Sequence, residues 1–284
     1  MVSIERVYDI EVNVDTLILV AILSIEDKQY LKHYFAFNRG NDYFYSSVTS
    51  KKPFFVLNLN PRNMYSHKYY KVMLILQNET LINMPESIRE TLFAFDWKVK
   101  RMDIAFDSKL DYSSHVFLKP HGNTKVYSRN EWSGYYIGSN YSKSKLAVYD
   151  RNKKEQARKK DIEHLYQTRF EFRFRPKISC APSIHNIDDE FIMNELSKYQ
   201  VIEDVWNIET TQWNVNRLIN LKKGLHLKRD YKDRWSRYGR KIQSELKQIV
   251  KEERIPFELL YQANKESIFS WLTHRAESKL VVTV

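Results

Sequence analysis

Three short segments of this 284-residue chain carry carboxylates, cations and a phenol at alternate positions, the spacing at which a β-strand turns them all to one face. In VKRMDIAFD (99–107), Met102, Ile104 and Phe106 point one way, and Arg101, Asp103, Ala105 and Asp107 the other. In TRFEFRFR (168–175), Phe170, Phe172 and Phe174 form one face, and Arg169, Glu171, Arg173 and Arg175 the opposite one. In KLAVY (145–149), Leu146 and Val148 lie opposite Lys145, Ala147 and Tyr149. An ordinary antiparallel sheet also has a polar outer face. Ala105, a small residue between two aspartates, departs from that pattern and is expected to leave space above the sheet.

The chemistry this set supports is cleavage of a phosphodiester. That reaction needs a nucleophile, neutralisation of charge on the non-bridging oxygens, and in-line geometry. A tyrosine can serve as the nucleophile if a base or cation helps it ionise, since a free phenol has a pKa of about 10. Asp103, Asp107 and Glu171 on neighbouring strands make an all-oxygen site suited to Mg²⁺ or Mn²⁺. Lys145 and Arg169 are placed to hold the phosphate. Many tyrosine nickases use a His-hydrophobic-His pair for the metal, and none of the eight histidines here forms one, so carboxylates must take that part.

Composition narrows the partner. Lys and Arg number 46 against 35 acids, a net charge of +11 with a pI near 9.4, which suits a polyanion. A soluble protein can be basic without binding nucleic acid, but the charge here is clustered. Eight Lys or Arg fall in 143–160 and nine in 222–241, among them Arg151, Lys153, Arg237, Arg240 and Lys241. Tyr149 sits in the first stretch and Tyr231, Trp235 and Tyr238 in the second, an interleaving of cations and stacking rings that suits a nucleic-acid groove. With six glycines and neither GxxxxGK[ST] nor GxGxxG, the chain offers no nucleotide-binding loop. One cysteine, Cys180, excludes an internal disulfide and a multi-thiolate zinc site. No apolar run is long enough to span a membrane and no export signal is evident, so a reduced, cytoplasmic protein is expected.

These segments need a frame. The apolar, β-branched run 12–23 reads as a buried strand leading into a helix over about 25–37. KPFFVLNLN (52–60) reads as a strand closed by Pro61, and 85–95 as a helix. Beyond 181 the pattern becomes mainly helical, over 190–199, 212–222, 235–253 and 257–275. The expected fold is α+β, an antiparallel sheet with flanking helices and a helical C-terminal region. The expected division is 1–190 for catalysis and 191–284 for DNA recognition.

At this point the motifs resemble those of the Rep_trans initiators of staphylococcal-type rolling-circle plasmids. RMDIAFD (101–107) looks like that family's R-[LM]-D-[LI]-A-F-D strand. YYIGSNYSKSKLAVYDR (135–151) is similar to its Y-[FI]-G-x(3)-S-x(6)-Y-[ND]-[KR] segment, and TRFEFRF (168–174) to its R-[VF]-E-[IF] strand. VDTLIL (14–19), NLNP (58–61) and LKQIVKEERIPFELL (246–260) are weaker echoes in the same order. Two departures stand out. The family commonly has Glu five residues after its tyrosine, where this chain has Lys154 and then Glu155; and it commonly has Arg two residues before, where this chain has Ala147.

The resemblance implies a rolling-circle replication initiator that nicks origin DNA through a 5′-phosphotyrosine at Tyr149 and later rejoins it. It further implies a divalent metal, a homodimer, and recruitment of a host helicase to double-stranded origin DNA and the single strand at the nick. Two other readings stay open: a conjugative relaxase of the same superfamily, and a non-catalytic, phage-type DNA-binding replication factor.

Overall fold

The structure, a computed structural model, describes residues 8–38, 43–48, 55–61, 72–118, 124–129, 132–139, 142–177, 180–222 and 237–273. The fold is α+β. The first half runs β1 (Ile10–Ala21), α1 (Ile25–Tyr34), β2 (Tyr43–Val48), β3 (Phe55–Pro61), β4 (Val72–Gln77), α2 (Asn78–Ile82), α3 (Glu86–Ala94) and β5 (Lys98–Ser108). There follow β6 (Val116–Leu118), β7 (Thr124–Arg129), β8 (Trp132–Ile137), β9 (Ser144–Asp150), α4 (Arg151–Ala157) and β10 (Thr168–Phe174). The C-terminal part is mainly helical: α5 (Asp189–Leu196), β11 (Gln200–Ile202), α6 (Gln212–Lys222), α7 (Arg237–Glu253), α8 (Phe257–Ile268) and α9 (Ser270–Thr273). Nine strands hydrogen-bond in the order β2-β3-β4-β1-β5-β10-β9-β8-β7, and β6 pairs with β11.

The chain forms two compact units that do not follow chain order. One comprises 13–104, 173–189 and 263–284. Within it β2, β3, β4 and β1 pair antiparallel, with Leu17 opposite Leu76 and Leu57 opposite Leu74. β1 explains its own burial: Val12 and Val14 alternate with more exposed neighbours, then Leu17, Leu19, Val20 and Ala21 are all buried. The strand stops at a capping box, in which the Asp27 amide donates to Ser24 Oγ (3.0 Å) and the Ser24 amide to Asp27 Oδ2 (3.1 Å), so α1 begins at Ile25.

The other unit comprises 1–12, 105–172 and 190–262. Its β7-β8-β9 meander is antiparallel, with Gly134 opposite Tyr149. The alternating phenylalanines close a core with α8: Phe257 lies 5.0 Å from Phe106, 5.5 Å from Phe170 and 4.8 Å from Phe172, ring centre to ring centre. A second cluster joins Val116, Ile202, Val205, Val215 and Leu218 to Ile242, Leu246 and Val250 of α7, residues four apart and hence on one helical face. Gly138, at φ +105°, makes the turn before β9; a Cβ there would meet the Ser144 carbonyl oxygen at 3.2 Å.

The helix expected over 25–37 ends at Tyr34, and 257–275 breaks into α8 and α9, its residues 274 and 275 lying outside the described set. The expectation of an open reactive face is overturned. Asp103, Ala105 and Asp107 keep no solvent-accessible surface, and every residue of β9 is buried. Asp103 and Asp107 on this face are held in ion pairs with arginines.

Candidate active site

Tyr149 comes one residue before the end of β9. The chain turns at once, because the Asp150 side chain caps α4 by accepting from the Lys153 amide (3.0 Å). Tyr149 is 3 % exposed, and its hydroxyl donates to Glu171 Oε2 on β10 at 2.9 Å. A phenol whose proton points at a buried carboxylate has an acceptor within reach for that proton.

Glu171 stands within a group of three carboxylates: Asp15, Asp103 and Glu171 each offer an oxygen, all within 4.8 Å of one another. They come from β1, β5 and β10, consecutive strands of the sheet. An all-oxygen donor set of this size fits a hard divalent cation such as Mg²⁺ or Mn²⁺. Arg101 makes two contacts to Asp103, one at 2.7 Å from Nε to Oδ1, and Arg173 Nε approaches its other oxygen at 3.8 Å. These cations offset the repulsion that three close carboxylates exert on one another.

Asp107 lies elsewhere. Arg169 grips it with two bonds of 2.7 Å, and Arg151 Nη1 reaches Oδ2 at 2.9 Å. Arg151 also donates to the Tyr166 carbonyl (3.2 Å). Among the described residues, the group that could hold a metal contains Asp103 and Glu171 with Asp15 and leaves Asp107 out. Burial, with Arg169 beside it, pulls the Arg151 guanidinium below its usual pKa, and Asp107 works against that shift. Removing the charge of that carboxylate takes a shared ion partner from both cations. We expect Asp107→Asn to destabilise the fold by about 3–5 kcal/mol, the usual cost of breaking a buried pair from one side. Urea unfolding measures this, and a loss under about 1 kcal/mol would contradict it.

The remaining expected residues are placed as follows. Lys145 is buried, its Nζ lying 3.8 Å from the ring centre of Tyr136. Lys153 Nζ is 3.7 Å from Asp150 Oδ2 on a side chain 63 % exposed. Glu155 faces Arg158 (3.2 Å) and Lys160 (3.3 Å); burial opposes its ionisation, but Lys160, Arg158 and Lys154 outweigh that and hold its carboxyl below the usual range. Lys241 is exposed on α7, 3.9 Å from Glu245, while the side chains of Arg237 and Arg240 lie outside the described residues, as do Tyr231 and Trp235.

Sequence reasoning missed Asp15. Its signal was present: a carboxylate inside VNVDTLIL, a run otherwise apolar enough for a buried strand. Two buried side-chain pairs were also missed, because each joins residues far apart in the chain. Ser144 Oγ donates to Glu195 (2.6 Å), and Ser108 Oγ to Glu203 (3.0 Å).

Among the described residues, no helix is long and apolar enough to cross a membrane. No protein-family model matches the chain, and no curated protein matches it. Among solved structures it is similar to a rolling circle replication initiator protein from Geobacillus stearothermophilus, at 10 % identity and a TM-score of 0.42, over 76 % of this chain and 98 % of that one.

Proposed function

We propose that this protein initiates rolling-circle DNA replication, nicking and rejoining an origin strand through Tyr149. The observation that carries the reading is the Tyr149 hydroxyl, hydrogen-bonded to a carboxylate that stands in a three-carboxylate group. The motifs around Asp103, Tyr149 and Glu171, which resemble those of Rep_trans initiators, support it from the sequence side.

In the proposed reaction the Tyr149 oxygen attacks the phosphorus and its proton passes to Glu171. The bond from phosphorus to the 3′-oxygen breaks, and that oxygen keeps the bonding pair and takes a proton from water to become the 3′-hydroxyl. The 5′-phosphotyrosine keeps one ester bond for another, so rejoining needs no external energy source. Asp15, Asp103 and Glu171 would hold the Mg²⁺ or Mn²⁺, which supplies neutralisation of phosphate charge. Arg169 and Arg151, fixed by Asp107, would face the phosphate with paired donors. With the phenol only 3 % exposed, part of its cover must shift before a phosphodiester reaches it. The test is incubation with a supercoiled circle bearing the chain's own coding segment and flanking DNA, plus Mn²⁺. A covalent 5′ adduct is expected, and its absence would reject the reading. A host helicase and a second copy of the chain are the proposed protein partners.

Origin recognition is assigned to residues 191–284. Phosphate contacts position a protein without specifying bases, so sequence must be read away from the tyrosine. α7 buries Ile242, Leu246 and Val250 and exposes Ser244, Lys247, Gln248 and Lys251 on its other side. Exchanging only those four exposed residues for a relative's should redirect origin choice while non-specific affinity and its salt slope stay the same. Unchanged origin preference would send the search to residues 119–132, parts of which lie outside the described set. Gln248 is bonded to Glu252, so base reading by it must break that local contact.

A further inference from the structure

We infer that Lys154 is a positioning residue for the nucleophile, holding the Tyr149 ring and stabilising the negative charge that develops on its oxygen during cleavage and rejoining. The inference rests on the nicking role proposed for Tyr149 and adds to it a residue that no motif singled out for chemistry.

The Lys154 ammonium lies 3.9 Å from the centre of the Tyr149 ring. The local chain brings it there. Tyr149 is the last residue but one of its strand, Asp150 caps α4, and the first helical turn carries residue 154 back across the ring. The ring is nearly excluded from water, where a cation over an aromatic face attracts more strongly than at an exposed site. The contact has a different strength in each state. A neutral phenol offers the ammonium only its ring quadrupole. As the oxygen gains charge, in attack or in departure from phosphorus, the same ammonium meets part of a full negative charge. Binding that strengthens toward the transition state accelerates both directions.

The neighbouring groups on β10, α4 and β8 do not duplicate this. Glu171 of β10 accepts the hydroxyl proton and carries the opposite sign. Arg151 of α4 senses Tyr149 electrostatically, but it is bonded to Asp107. β8 places Gly134 opposite Tyr149 and so contributes no side-chain charge at that position.

The test compares the unaltered chain with Lys154→Met, Lys154→Gln and Lys154→Arg, using the supercoiled circle described above and Mn²⁺. Single-turnover adduct formation is measured, then rejoining of the isolated adduct, then DNA affinity as a function of salt. Met and Gln are expected to slow both steps by about tenfold, one logarithmic unit of transition-state stabilisation. Arg is expected to restore most of the rate, and affinity and salt slope should hold in all three. Unchanged rates in Met and Gln would overturn the proposal. So would slower rates accompanied by weaker binding and a salt slope smaller by about one, since those mark a phosphate contact. Absence of adduct from the unaltered chain would instead overturn the nicking reading on which this one stands.

Discussion

Replacing Tyr149 by phenylalanine is expected to reduce the covalent DNA adduct to background while leaving duplex affinity nearly unchanged. Only the hydroxyl is removed, and the ring that packs in β9 stays. Phe keeps the contact with Lys154, so loss of the adduct cannot be ascribed to collapse of the pocket. The same change takes from Glu171 a donor at 2.9 Å, and a hydrogen bond to a charged group contributes about 1.5–3 kcal/mol. A modest fall in the unfolding midpoint should therefore accompany the loss of activity, and it checks that the bond exists in solution. An undiminished adduct, mapped to another phenol such as Tyr166, would sink the assignment. Tyr166 is a fair competitor by position, but its hydroxyl is bound to the exposed Asp9 at 3.1 Å, outside the carboxylate group.

Removing charge from the carboxylate group should have the next largest effect. Asp103→Asn combined with Glu171→Gln is expected to lower nicking by on the order of 10² or more, with partial recovery at high Mn²⁺. Asp15→Asn should act in the same direction, because its oxygen belongs to the same group. Calorimetric titration with Mn²⁺ alone gives a readout independent of cleavage: the unaltered chain should bind, and the double variant should bind far more weakly. Full nicking by the double variant in the presence of chelator would end the metal reading. Asp107→Asn separates the two kinds of carboxylate. It should lower stability through Arg169 and Arg151 without changing Mn²⁺ binding.

Much of the frame was legible in the chain. The period of two in 99–107 and 168–174 put the phenylalanines on one side and the charges on the other, and the rings do meet around Phe257. α6 is found at 212–222, where the pattern placed a helix. β2, β4, β6, β7, β8 and β11 were not read, and β6 and β11, three residues each, are too short to show a period.

What the sequence determined by itself was the local side of the problem: which residues alternate, where polar and apolar faces divide, and that a phenol, carboxylates and arginines share the polar face. Alternation is a property of neighbouring residues, so the chain displays it without knowledge of the fold. Only the tertiary structure decided which charge meets which. It assigned Asp107 to Arg169 and Arg151, set Asp15 with Asp103 and Glu171, pointed the Tyr149 hydroxyl at Glu171 and laid Lys154 over its ring. All but the last join residues at least 22 apart in the chain, such as Tyr149 with Glu171, and strand order sets such pairings. It also decided that this face is buried, with its aspartates held in ion pairs by arginines.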